Sequence, residues 1–384
     1  MADQQSPPAE QPPEAARPER ASGAADSPGR RDRPGRTMAL WGGAAALVLV
    51  AGGVAIGTVN ATVYSPEAQV ERYLDALADG DGATALGLAR GGQGSDGAGL
   101  APGTATTLLD GEPLAAGFAA LQHVTVSRGG ESRGGVEVVV GYRVDGRDHS
   151  TTFAVERVGR DWLFFDRWRM APAPLRTVHV SPANLPPEAA SEPLEAHVNG
   201  TTVPLGPREA GAAPGRQLAV LPPFVVEAGF TSDYLEAGPT RAVVDASGVE
   251  APSAPLDLVL ELQYTDAVQE EVDAQLSAYL EGCTSQQVLH PSGCPMGYDT
   301  VNRIPPDSIT WSVSGTPRAA VMELPAGGED PTEVAAAQAD AVLAVQEIDL
   351  VSGERRAVER REPFTLEAEL AVTPNAVRYT PRVP

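Results

Sequence analysis

The longest uncharged stretch of the chain lies near its start, between Arg36 and Glu67. Thirty consecutive residues carry no charge there, and positions 40–59 are Leu, Val, Ile, Trp, Ala and Gly apart from one Thr. At about 1.5 Å per residue, a helix of twenty such residues spans about 30 Å, the thickness of the hydrocarbon core of a bilayer. The pattern therefore predicts a transmembrane helix at residues 38–63.

The charges that flank this stretch predict its orientation. Four arginines lie at positions 30, 31, 33 and 36, whereas the first charge on the other side is Glu67. Basic flanks remain on the cytoplasmic side, so we expect a single-pass protein of the cell membrane with its N-terminus inside and its bulk extracytoplasmic. A cleaved signal peptide is the alternative, although its apolar region would be shorter and would follow a shorter leader.

Two glycines within the predicted helix have a spacing that bears on self-association. Gly53 and Gly57 lie four residues apart, which allows two helices to approach closely in lipid. A homodimer that packs through this face is one hypothesis, and a chance spacing in a segment rich in Gly and Ala is the other. The lipid bilayer itself is the partner that the segment predicts.

The pattern after the apolar run is first helical and then alternating. Ser65 and Pro66 are typical of a helix start, and apolar residues recur at helical spacing up to Ala78. From Gln122 onward, apolar and polar residues alternate, which indicates antiparallel strands. The pairs Asp145-Gly146 and Gly159-Arg160 are predicted to form the turns between these strands.

Residues 65–89, followed by residues 136–170, resemble the NTF2-like domains found outside the membrane anchor of envelope proteins of high-GC Gram-positive bacteria. The resemblance implies a helix packed on a curved antiparallel sheet with a cone-shaped cavity. Four side chains would then be candidates for general acid or base chemistry in such a cavity, namely Tyr73, His123, His149 and Asp166. Structural roles are the competing interpretation, with His149 solvated after a turn and Asp166 in an ion pair at the rim.

The remainder of the chain predicts a small β module and a second helix-plus-sheet unit. Asn199-Gly200 lies between two short alternating runs, a strong signal for a hairpin, and this region loosely resembles the β modules of TcaA-type membrane-anchored proteins. Residues 266–281 form an amphipathic helical pattern, and alternating runs follow it to the end, with strands predicted at 341–350 and 363–372 among them. A second NTF2-like or cystatin-like fold is the expectation for that unit.

Cys283 and Cys294 are the two cysteines of the chain. In an oxidising compartment, an isolated pair of this kind predicts a disulfide. His290 lies between them, which makes a metal site the alternative, but a zinc site needs further ligands and closer cysteine spacing. We therefore predict a disulfide, with no metal and no cofactor.

Composition and motifs exclude some classes of function but do not identify one. All 28 basic residues are arginine, and a net charge of −23 is borne by the residues after position 36, because the first 36 hold six Arg and six acidic residues. So acidic a surface repels nucleic acid, which is therefore not an expected partner. No nucleophile elbow, phosphate-binding loop or zinc-protease helix is present.

Two hypotheses about function follow. The first is a non-enzymatic protein that binds, tethers or scaffolds in the cell envelope, with an envelope protein or wall polymer as partner. The second is an extracytoplasmic ligand-binding protein or enzyme that uses the NTF2-like cavity. The predicted class is α+β, in five segments: a disordered cytoplasmic tail (1–36), a transmembrane helix (38–63), an NTF2-like domain (64–172), a small β module (173–252) and a C-terminal α+β domain with the disulfide loop (253–384).

Overall fold

The structure of this protein is a computed structural model, and it contains more strand than helix. The residues that it describes are 64–91, 100–132, 135–161, 165–173, 175–206, 214–246, 254–321, 323–324 and 334–383. The α-helices in these ranges are α1 (Pro66–Ala78), α2 (Gly82–Ala89), α3 (Gly111–Ala119) and α4 (Asp266–Thr284). The strands of the first half are β1 (Gln122–Ser132), β2 (Gly135–Val144), β3 (Arg147–Asp161), β4 (Phe165–Met170), β5 (Arg176–Ala183), β6 (Leu194–Val198), β7 (Thr201–Leu205) and β8 (Arg216–Val220). Those of the second half are β9 (Phe224–Thr231), β10 (Leu235–Val244), β11 (Leu256–Glu261), β12 (Gln263–Tyr264), β13 (Thr310–Ser314), β14 (Ala319–Ala320), β15 (Val334–Ile348), β16 (Arg355–Val372) and β17 (Val377–Arg382).

The predicted α+β class, with its NTF2-like domain, is wrong. The structure is mostly β, with 48% strand and 22% helix and only four α-helices in the described part of the chain. The α+β class was predicted because an amphipathic helix precedes a run of strands in each of two predicted domains. The strands are in fact longer than their apolar alternation indicates, because hydrogen bonding between neighbours extends them through polar residues.

No helix in the described ranges is both long and apolar enough to cross a membrane. The predicted transmembrane helix at 38–63, with Gly53 and Gly57, lies outside those ranges, and so does the predicted disordered tail at 1–36. The transmembrane helix, its glycine spacing and the disordered tail therefore remain predictions from the sequence.

Helix α1 begins where its sequence predicts. The Ser65 side chain accepts a hydrogen bond from the Ala68 amide at 3.0 Å, and Pro66 occupies the first turn, where no amide donor is needed. Val70 and Leu77 lie on the buried face of the helix. Helix α3 was not predicted, because its Gly, Ala and Pro content masks the helical period.

The first sheet is an antiparallel meander in the order β1-β2-β3-β4. The turn between β2 and β3 lies at Asp145-Gly146, as predicted, and both residues have positive φ angles, of 48° and 77°. The predicted turn at Gly159-Arg160 is wrong, since β3 continues to Asp161. A shift in register between Arg157 and Gly159 accommodates the glycine within the strand instead.

Two further sheets involve strands from both sides of position 252. One has the order β12-β10-β9-β6-β7, and the other has the order β11-β5-β8, in which β11 runs parallel to β5. Strands β11 and β12 were expected in the C-terminal unit, but they are hydrogen-bonded to β5 and β10. The predicted hairpin between β6 and β7 is confirmed, with Asn199 and Gly200 at its turn.

The fourth sheet has the order β13-β15-β16-β17, and its long hairpin pairs β15 with β16 from Val334↔Glu369 to Ile348↔Arg355. The alternating pattern predicted these strands only at 341–350 and 363–372. Helix α4 packs on this sheet, where Gln275 accepts from the Tyr379 amide at 2.9 Å and donates to the Val377 carbonyl at 2.8 Å.

Direct contacts join the region before residue 172 to the sheets that follow it. The Tyr73 hydroxyl donates to the Pro222 carbonyl at 2.6 Å, and Ala105 forms a parallel bridge to β8. Helix α3 rests on the Phe224 ring through Gly117, where a Cβ atom would lie only 2.1 Å from that ring. One hydrophobic core cluster accordingly contains side chains from all four sheets.

Candidate functional site

Tyr73, the first candidate for acid or base chemistry, is a core side chain. It is 1% exposed, its ring meets the Phe153 ring edge-on at 5.4 Å, and its hydroxyl is bonded to the Pro222 carbonyl. Burial raises the pKa of this phenol well above its usual value. The Tyr73 hydroxyl therefore keeps its proton, and its hydrogen bond holds helix α1 against the turn before β9.

The other three candidates lie in different surroundings. His123 is exposed at the start of β1 and has a φ of 52°, and the His149 ring stacks on Tyr142 with ring centroids 5.8 Å apart. Asp166 accepts a hydrogen bond from Arg160 Nε at 2.9 Å. None of these contacts joins two of the four candidates in the described part of the chain.

The predicted disulfide between Cys283 and Cys294 is confirmed. It connects the last turn of α4 to the loop that follows, with the two Cα atoms 5.8 Å apart. The same loop is fixed by Trp311 Nε1, which donates to the Val288 carbonyl at 2.8 Å. His290 faces Asp299, with Nε2 and Oδ1 3.0 Å apart, and both cysteine sulfurs are joined in the disulfide.

Removing the disulfide should destabilise the chain. Closure of a loop of this length contributes up to about 3 kcal/mol in the chain-entropy model, so we expect the double variant Cys283→Ala/Cys294→Ala to lose up to that amount. Urea unfolding followed by circular dichroism measures the change. Reduction should lower the midpoint of the wild-type chain and leave that of the variant unchanged; an equal effect on both would contradict the prediction.

A cleft of about 550 Å³ lies where β11 and β12 meet the start of α4. We call it the acidic cleft, because three carboxylates line it together with apolar side chains. The residues used in the argument below are Glu261, Asp266, Glu323, Leu262, Val268 and Leu324.

Hydrogen bonds between side chains and the backbone hold the walls of the acidic cleft in place. Asn184 donates through Nδ2 to the Leu262 carbonyl at 2.9 Å and accepts at Oδ1 from the Leu262 amide at 3.0 Å. These two bonds replace strand pairing at the break between β11 and β12. Thr265, which precedes α4, donates to the Asp233 carbonyl at 2.7 Å, and Gln269 donates to the Ala319 carbonyl at 3.0 Å. The cleft is therefore built between anchored elements.

The charges of the acidic cleft are unbalanced. Glu261, Asp266 and Glu323 are exposed, and none of them forms an ion pair within the ranges that the structure describes. Like charges that share a cleft add their potentials, and the apolar side chains in the same lining offer contact to an apolar group. Such a site favours a ligand that carries a positive charge on an apolar body.

Sequence reasoning missed the acidic cleft. Glu261 and Asp266 flank a strand break and a helix start, but Glu323 follows 57 positions after Asp266. Acidic residues are frequent throughout the chain, so their approach in space has no distinguishing mark in the sequence. The sequence feature that could have pointed to the cleft is the combination of apolar and acidic residues at 261–268.

A second polar cluster surrounds Glu347 near the end of the β15 and β16 hairpin. Its carboxylate accepts hydrogen bonds from Tyr298 Oη at 2.7 Å, Asn302 Nδ2 at 2.9 Å, Arg356 Nη2 at 3.0 Å and Thr300 Oγ1 at 3.0 Å. These bonds, that from Tyr298 foremost, lower the pKa of the buried Glu347 to about 2. Because its oxygens are fully engaged, Glu347 fastens the 298–302 loop to the hairpin.

Comparisons with protein families, with curated proteins and with solved structures produced no match to this chain.

Proposed function

We propose that this chain is a membrane-anchored extracytoplasmic protein with a non-enzymatic role in the cell envelope, and that it binds its partner through the acidic cleft. The anchor is supported by the uncharged segment at 38–63 and its arginine-rich flank. The extracytoplasmic location is supported by the Cys283–Cys294 disulfide, since such bonds persist in oxidising compartments.

The observation that carries the binding role is the set of three carboxylates, unpaired within the described residues, that line one cleft together with apolar side chains. A primary amine on an aliphatic or aromatic body has the matching chemistry. Amino groups on a wall polymer or basic side chains of an envelope protein would present it. A protein with a binding site outside the membrane and an anchor within it would tether the bound partner to the membrane.

The alternative, catalysis in a cavity beside Tyr73, has less support. That side chain is buried and its hydroxyl is bonded within the core. His123, His149 and Asp166 lie among other neighbours, so they do not supply the partner that acid or base chemistry needs.

Binding of dansylcadaverine, which joins an ammonium group to an apolar fluorophore, tests the proposal. We expect the full chain in non-ionic detergent to bind this probe saturably, with an affinity that falls as salt increases. The triple variant Glu261→Gln/Asp266→Asn/Glu323→Gln should bind at least tenfold more weakly, because each lost charge removes about 0.5 kcal/mol. Fluorescence titration measures both constants.

A second triple variant supplies the matched control. Glu112→Gln/Glu131→Gln/Glu354→Gln removes the same charge from exposed positions outside the cleft and should retain wild-type affinity. The N-acetylated probe, which lacks the positive charge, should not bind saturably. Equal losses in the two triple variants would reduce the effect to net charge and would refute a role for the cleft.

A further inference from the structure

Aromatic and basic side chains share the outer face of strand β4. Met170 of this strand is buried in the core. Because side chains alternate along a strand, Phe165, Arg167 and Arg169 lie on the opposite face. The two arginines are exposed, and the half-buried Phe165 ring stacks on the ring of Tyr64 with centroids 4.7 Å apart. We define the β4 patch as Tyr64, Phe165, Arg167 and Arg169.

The charge of this region contrasts with that of the whole chain. Residues 156–170 hold four arginines and three acidic residues, a net charge of +1 in a chain of −23. Within the β4 patch itself, both charged residues are arginines. Glu156 of β3 lies 4.0 Å from Arg169, and both side chains are about half exposed, so this ion pair is weak. The β4 patch therefore presents positive charge beside two aromatic rings.

The β4 patch adjoins the end of the predicted transmembrane helix. Tyr64 directly follows that segment, which ends at residue 63, and one residue of chain covers at most about 3.8 Å. The headgroup layer is roughly 5 to 8 Å thick on each side of the hydrocarbon core. With the anchor proposed above, Tyr64 therefore lies among the headgroups, and the Phe165 ring that stacks on it lies at their level or directly outside them.

We propose that the β4 patch is a membrane-contact surface, which seats the folded part of the chain on a bilayer that contains anionic phospholipid. The Tyr64 and Phe165 rings lie at the interface, where aromatic side chains of membrane proteins are enriched, and Arg167 and Arg169 pair with lipid phosphates. The acidic remainder of the chain is repelled by such a bilayer, which favours an orientation with the β4 patch towards the lipid. The proposal rests on the anchor of the proposed function and does not depend on the acidic cleft.

Quenching of a fluorescent label by lipid headgroups tests this contact. Gly159→Cys places a thiol opposite Arg167 on the same face of the hairpin, where a Cβ atom meets no neighbour within 4 Å. The full chain, labelled there with nitrobenzoxadiazole, is reconstituted into vesicles of phosphatidylcholine and phosphatidylglycerol in which some headgroups carry a spin label. We expect quenching about twofold or more stronger than at Val351→Cys, a position 98% exposed in the turn after β15. Equal quenching at the two positions would overturn the proposal.

A double variant, Arg167→Gln/Arg169→Gln, isolates the contribution of the arginines. A larger fraction of phosphatidylglycerol should increase quenching at position 159 of the otherwise unaltered chain, because each arginine near an anionic surface favours contact about fivefold. The double variant should lose this dependence on lipid charge. Arg355→Gln/Arg360→Gln removes the same charge from exposed positions of β16 and should retain it. Loss of the dependence in both double variants would reduce the effect to net charge and contradict the proposal.

Extraction with alkaline carbonate distinguishes failure of the contact from failure of the anchor. Release of the unaltered chain from the vesicles would refute the anchor, and the contact with it. Retention without stronger quenching at position 159 would refute the contact alone. If Gly159→Cys does not fold, Glu156→Cys, which lies opposite Arg169 and is about half exposed, carries the label with the same expected results.

Discussion

Replacing Tyr73 with alanine is expected to lower the free energy of unfolding by about 4 kcal/mol, the largest effect predicted for a single position. The change removes a fully buried ring, its edge-on contact with Phe153 and the hydrogen bond to the Pro222 carbonyl. Because Pro222 belongs to the turn before β9, the loss also loosens helix α1 from a separate sheet. Urea unfolding monitored by circular dichroism measures the change.

The hydroxyl contribution of Tyr73 is separated by Tyr73→Phe. This variant keeps the ring but leaves the buried carbonyl of Pro222 without its donor, so we expect a loss of about 1.5 kcal/mol. Tyr279→Phe is a matched control, because Tyr279 also donates to a backbone carbonyl, that of Gly293 at 2.6 Å, from a partly exposed position. Its cost should be smaller. Equal costs for the two variants would show that burial of the Tyr73 bond adds nothing.

Replacing Glu347 with alanine is expected to cost almost as much, about 3 to 4 kcal/mol. The carboxylate is buried and accepts four hydrogen bonds, and its loss would leave the Tyr298, Asn302 and Thr300 donors without their acceptor. The loop at 298–302 should then separate from the hairpin. Hydrogen exchange at the amides of Arg303 and Ile348, which bond to each other's carbonyls, measures that separation.

The same carboxylate predicts how stability depends on pH. Its folded-state pKa of about 2 lies below the unfolded value of 4.5, so its contribution is complete above pH 4.5 and is lost as the pH falls towards 2. Glu347→Gln should remove this part of the acid limb of the stability curve. Glu359→Gln, at an exposed position of the same hairpin, should leave it in place. An acid limb unaltered in Glu347→Gln would contradict the assignment.

Local signals predicted the elements that depend on neighbouring residues. The start of α1 at Ser65 and the turns at Asp145-Gly146 and Asn199-Gly200 follow from capping and from residues that tolerate positive φ. The buried face of α4, with Val272 and Leu276, follows from the helical period of its apolar residues. These predictions require no knowledge of the rest of the fold.

The long hairpin shows where such signals end. Strands β15 and β16 extend through segments rich in Ala, Glu and Arg, which alone favour helix. Pairing between the strands supplies the hydrogen bonds and cross-strand contacts that override this preference. The alternating pattern predicted only residues 341–350 and 363–372 of these strands, because this override has no local mark.

The candidate sites divide in the same manner. The Cys283–Cys294 bond was predictable because the chain has just these two cysteines and they lie close in sequence. The acidic cleft and the β4 patch were not, because each joins residues from distant segments. Tyr73 was a candidate for acid or base chemistry in the sequence, whereas in the structure its hydroxyl is bonded within the core to a carbonyl 149 positions away.

The sequence by itself thus determined the caps, the tight turns, the amphipathic faces and the cysteine pair, since each rests on the chemistry of a few adjacent residues. The tertiary structure alone decided the mostly β class, the parallel pairing of β11 with β5, and the burial of Glu347. Those outcomes depend on which strands meet, and burial changes the energetics of a charged group far more than its neighbours in sequence do.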